Sequence, residues 1–117
     1  MNNVPDTADR ILARASESAH GRHAEILVRE GPLRQSLLAL TAGTELEEHN
    51  SPPAASLYLI KGAVQVTGET TVDIAAGELH TLTHHRHAVR AREDSVFLLT
   101  TVTSIEGQGS YTEPPSA

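Results

Sequence analysis

The stretch Gly43-Thr44-Glu45-Leu46-Glu47-Glu48-His49-Asn50-Ser51-Pro52-Pro53-Ala54-Ala55-Ser56-Leu57-Tyr58-Leu59-Ile60-Lys61-Gly62 decides how the rest of the chain is read. A glycine turn opens it, and a short strand runs to His49. Pro52-Pro53 mark a loop, a second strand covers 56–60, and Lys61-Gly62 closes the unit. Short apolar runs bounded by Gly and Pro are the pattern of antiparallel strands joined by turns.

The same grammar extends in both directions. Upstream, 24–29 and 33–40 read as strands separated by the turn Glu30-Gly31-Pro32. Downstream, Val64-Gln65-Val66-Thr67 alternates apolar and polar side chains, and Gly68-Glu69 makes a hairpin turn into 70–74. Ala76-Gly77-Glu78 turns the chain again into 79–83; 88–91 and 96–103 follow, with Glu93-Asp94-Ser95 between them. About eight to ten short strands with such frequent turns predict an all-β sandwich or barrel. Ahead of them, Ala8, Ile11, Leu12, Ala15 and Ala19 recur at helical spacing. This predicts a helix over 7–18, capped by Asp6 or Thr7, stopped by Gly21 and lying on the surface of a sheet. Residues 1–5 read as a loose end. The organisation expected is a helix and first strand over 1–32 packing on a barrel core over 33–104, with a flexible tail over 105–117.

Composition narrows the function. The 117 residues suit one domain with one core, and only Tyr58, Phe97 and Tyr111 are aromatic, so aliphatic side chains must fill it. Fifteen acids against nine bases give a formal net charge of −6, with Lys61 the one lysine. That argues against nucleic acid as a partner, because phosphate contacts need clustered cations. Cysteine is absent, which excludes disulfides, thiolate metal sites and cysteine nucleophiles. Neither a basic start followed by an apolar run nor a stretch approaching the ~18 apolar residues of a membrane span is present, so a cytoplasmic protein with no membrane partner is expected.

On these residues the chain resembles the cupin family, small jelly-roll barrels of the RmlC-like type, over about 33–102. In the first motif of that family a glycine, five residues, His-x-His, a glutamate and a closing glycine recur. Here Gly43, His49-Asn50-Ser51 and Gly62 fit the frame, while Ser51 stands at the second histidine and Ala55 at the glutamate. The second motif maps onto Gly77-Glu78, with Thr83 in the place of a proline, His87 as the motif histidine and Val89 continuing the strand; His80 offers a second match. The resemblance implies a double-stranded β-helix, or jelly-roll, barrel with a short N-terminal helix. It also implies that His49 and His87 are the first candidates to hold a divalent metal, and that a homodimer is the expected assembly.

Two ligands rarely hold a divalent ion, because catalytic sites usually supply three protein ligands. The third can come from His80, His84 or His85, since His85-Arg86-His87 repeats the His-x-His spacing and residues two apart on a strand share a face. His80 points into the barrel if Leu82 does. The metal candidates are therefore His49, His87, His80 and His85, for Zn, Fe, Mn or Ni, all compatible with imidazole. The competing reading is a metal-free barrel. In both, a small molecule sits in the barrel mouth, with Ser51, Leu57, Leu59 and Glu47 as candidate pocket residues. An oxygenase or isomerase and a structural or regulatory module remain alternatives. Arg86, Arg90 and Arg92 alternate along a strand, as an outer face paired with acids or as an anion-binding rim. Tyr58 is expected to pack between sheets or between subunits.

Overall fold

The computed structural model describes residues 2–47, 53–82 and 87–103. Among these residues, helix α1 (Val4–Glu17) is followed by nine strands: β1 (Arg22–Glu30), β2 (Leu33–Leu40), β3 (Glu45–Glu47), β4 (Ala54–Lys61), β5 (Ala63–Thr67), β6 (Thr71–Ala75), β7 (Leu79–Leu82), β8 (Ala88–Ala91) and β9 (Ser95–Val102). They form two antiparallel sheets, ordered β1-β2-β9-β4-β7 and β3-β8-β5-β6.

The pairing is nested. β5 pairs with β6, β4 with β7, β3 with β8 and β2 with β9, so β2 to β9 behave as one long hairpin. Rolling that hairpin adds the pairs β4–β9 and β5–β8 and produces the jelly roll. Alternation within each strand then sets the faces. Leu57 and Leu59 on β4, Phe97 on β9, Val64 and Val66 on β5 and Val89 and Ala91 on β8 all point inward and form the core. β2 and β8 occupy the stretches expected from the sequence, and the remaining core strands differ from their expected bounds by a few residues.

The helix starts earlier than its periodicity suggested. Asn3, rather than Asp6 or Thr7, is the cap: its Oδ1 accepts the Asp6 N–H at 3.0 Å, and Pro5 sits in the first turn. Proline costs nothing there, because the first N–H groups of a helix have no partner in any case. The helix ends at Glu17 with Ser18 as its cap, and Gly21 (φ 70°) turns the chain into β1. Ala8, Ile11 and Ala15 form its buried stripe and pack on Leu37, Ala39 and Val96 of the five-stranded sheet, forming a second apolar cluster on that sheet's outer face. Burying Ile11 completely contributes roughly 1.5–3 kcal/mol. At the edge of this contact Arg10 grips Glu25 of β1 through two hydrogen bonds of 2.6 and 2.9 Å. The Arg10 hydrogen bonds hold the Glu25 carboxyl down at about 2, against an ordinary 4.5, with a lesser contribution from His23.

Gly62 explains the closing glycine of the opening stretch. It has φ 95°, and a Cβ there would lie 2.7 Å from the Ser95 Cα. Any side chain would push β5 off the start of β9, so the position demands glycine on both conformational and steric grounds.

Candidate functional site

Among the described residues, the space between the two sheets is sealed at one end and holds a cavity at the other. At the sealed end the links are short and tied to each other through the backbone. Gly43 N–H donates to the Ala91 carbonyl (2.8 Å), Ala91 N–H to that of Thr44 (2.9 Å) and Gly77 N–H to that of Leu59 (2.7 Å). Ser95, fully buried, adds a side-chain tie: its Oγ accepts from Ala63 N–H at 3.1 Å and donates to the Glu93 carbonyl at 2.7 Å. Leu40, Leu59, Val64, Ala91 and Phe97 are wholly enclosed there.

At the opposite end β3 and β7 finish, β4 and β8 begin, and β5 turns back into β6. A cavity of about 140 Å³ lies here, lined by Val66, Glu69, Thr70, Val72, His80, Thr81 and His87. His80 reaches it because β7 alternates. Leu82 is buried on the inner face, Leu79 and Thr81 are exposed, and His80 pairs across the ladder with the enclosed Leu57. His87 reaches it from the other sheet, two residues before the buried Val89 of β8. Two half-buried imidazoles contributed by different sheets thus face one space, with Glu69 of the β5–β6 turn on its wall.

The other candidates distribute as follows. Leu57 and Leu59 are sealed in the core beneath the cavity. Glu47 is exposed on β3, with the inward-packed Leu46 beside it. His49, Ser51, His84, His85 and Arg86 lie outside the described residues. Among the described residues no three histidine, aspartate or glutamate side chains converge into a metal-binding group. Tyr58 does not lie between the sheets. It stands on the outer face of β4, 40 % exposed, opposite Leu79 of the edge strand β7, which is 68 % exposed. Glu69, Thr70 and Val72 were missed in the sequence, where the β5–β6 turn read only as a turn. The signal was present in the order of links: successive connections alternate ends, which brings this hairpin to the same end as the start of β8 and His87.

No family model matches the chain, and no curated protein matches it. Solved structures do match. A Streptococcus pyogenes protein of unknown function is 25 % identical, superimposes with a TM-score of 0.66, and is covered over 78 % of its length by 74 % of this chain. An RmlC-like cupin from Desulfovibrio desulfuricans is 18 % identical with a TM-score of 0.62, covering 69 % of this chain and 81 % of that one. A salicylate 1,2-dioxygenase from Pseudaminobacter salicylatoxidans is 18 % identical with a TM-score of 0.72 over 83 % of this chain; the match spans 33 % of the dioxygenase. These likenesses show the fold, which is the cupin jelly roll.

Proposed function

From a cupin barrel open at one end, we propose that this chain binds a small molecule between the two sheets, with a divalent metal held by His49, His87 and either His80 or His85. The observation that carries the reading is that His80 and His87, on different sheets, line a single cavity. A small apolar-walled space with a few converging polar groups is the usual form of a ligand site. Val66 and Val72 supply the apolar wall, and the imidazoles and Glu69 supply the polar contacts. Imidazole suits Zn, Fe, Mn and Ni alike. Among the described residues the donors do not complete a metal site, so this reading needs His49 beside His87, with His80 or His85 as the third ligand. When bound, the ion would supply Lewis acidity; the chain's own part is to orient the ligand and exclude water from one side.

Elemental analysis of protein purified without chelator or added metal tests this directly. About one tightly held ion per chain, lost in His87→Ala while the fold persists, is the expected result. A metal-free protein that still binds small molecules at the cavity would reduce the function to ligand binding. Unchanged metal in both His49→Ala and His87→Ala would overturn the metal assignment. Enzymatic activity of the oxygenase or isomerase type rests on that same ion.

The same reading includes a homodimer. β1 is a nine-residue edge strand with Ile26 53 % exposed, and long unprotected edges favour pairing with another chain. Light scattering that gave a monomer at high concentration would remove this part of the proposal.

A further inference from the structure

A second concavity lies on the outer face of the four-stranded sheet, away from the space between the sheets. One residue from each strand forms a polar row across that face: Glu45, Arg90, Gln65 and Asp73 are consecutive cross-strand partners. Most of the neighbouring outward positions on β5, β6 and β8 are short, while Glu47 follows on β3 as the partner of Ala88. Ala88 and Thr67 flank the row on one side and Ala63 and Ala75 on the other. Nothing lies within 4 Å of where a Cβ of Gly43 would point. Long side chains bordered by shorter ones leave a groove of about 340 Å³ lined by Gly43, Gln65, Arg90 and Arg92, with the enclosed Ala91 beneath them.

The two arginines at the groove are engaged differently. Asp73 is already engaged, accepting from Gln65 Nε2 at 3.1 Å and from Arg92 at 3.2 Å. Arg92 keeps most of its guanidinium donors. Arg90 makes no hydrogen bond or ion pair among the described residues, although Glu45 is its direct cross-strand neighbour. The described lining therefore contains two guanidinium groups and no carboxylate, in a chain whose net charge is −6. Guanidinium forks match the paired oxygens of carboxylates and phosphates, and the volume falls in the range of small-molecule sites.

We propose that this groove is a binding site for a small oxyanion-bearing molecule, a carboxylate or a phosphate ester, gripped by Arg90 and Arg92. Asp73 holds Arg92 and Gln65 in place, and Arg90 supplies the free fork. This site shares no residue with the cavity of His80 and His87, so either can fail without the other.

Calorimetric titration of the full chain with succinate and, separately, inorganic phosphate tests the proposal. Saturable binding of one or both at one site per chain is expected; succinate alone points to carboxylates, and phosphate alone to phosphate esters. Arg90→Gln should weaken binding about 10-fold, the loss of one charge-assisted contact. Arg29→Gln, a cation on the edge strand β1, should leave it unchanged. Absence of saturable binding, equal weakening in both variants, or full retention in Arg90→Gln would each overturn the site. A measurement on the wild-type chain guards against a misfolded variant. Amide shifts on titration should concentrate at Gly43, Gln65 and Ala91, whereas shifts confined to Val66, Val72 and Thr81 would place the anion between the sheets and reject the proposal.

Discussion

The sealed and open ends of the barrel are made from the same strands, yet they differ in every physical respect. At the sealed end, backbone-to-backbone ties between neighbouring links and the buried Ser95 hydroxyl satisfy the polar groups, and Phe97 is enclosed on all sides. At the open end the enclosed aliphatic side chains give way to two half-buried histidines and a glutamate around a cavity. Enclosed apolar packing is thus concentrated where the chain turns tightly, and the half-buried polar side chains where the connections are longer. Buried apolar area drives folding, whereas half-buried imidazoles contribute little to it.

That contrast can be broken or sharpened by mutation. The largest effect is expected for Phe97→Ala, which removes the one aromatic ring buried among the described residues and should cost roughly 3–5 kcal/mol in denaturant unfolding. A loss below ~1 kcal/mol would mean that the sealed end is not where stability resides. Ser95→Ala comes next: it orphans the Ala63 N–H beside β9 and should cost about 1–3 kcal/mol by the same measurement. His80→Ala should stay within about 1 kcal/mol of the parent in stability while abolishing ligand or metal uptake at the cavity. If it destabilised as much as Ser95→Ala, His80 would be a structural residue and the open end would belong to the core.

The smallest effect lies outside both ends, at the pair of Arg10 and Glu25. The Glu25 carboxyl is depressed from 4.5 to about 2, so its contribution is present above the unfolded value and disappears as pH falls toward 2. Arg10→Ala should therefore lower the melting temperature slightly at neutral pH, with the difference from the parent closing between pH 4.5 and 2. Both side chains are partly exposed, so the effect is small and weakens with salt. A gap that widened in acid would contradict the assigned sign.

Much of the fold was legible in residue order. Alternation located β2 and β8 within their observed bounds, and the framing glycines marked Gly62, where no side chain fits. The helix start was not legible, because Asn3 and Pro5 resemble a loose end until the cap geometry is seen. For the site, the spacing of His80 and Leu82 correctly implied a shared inward face. The same alternation puts Glu47 outside, next to the inward Leu46. The groove of Arg90 was the least legible feature. Its row joins Glu45, Arg90, Gln65 and Asp73, which are widely separated in sequence and become neighbours only through ladder register.

By itself, the sequence determined what depends on local chemistry: where strands run, where turns fall, which face of each strand is apolar, and which chemistries are absent for want of cysteine and clustered lysine. Tertiary structure alone decided which strands meet and in what register. It thereby decided that His80 and His87 share one cavity, and that Gly43 and Gln65 join Arg90 and Arg92 around another. The physical reason is range. A strand's inner face follows from a period of two residues, but its neighbours follow from rolling a long hairpin, and that pairing is set by the packing of the whole core.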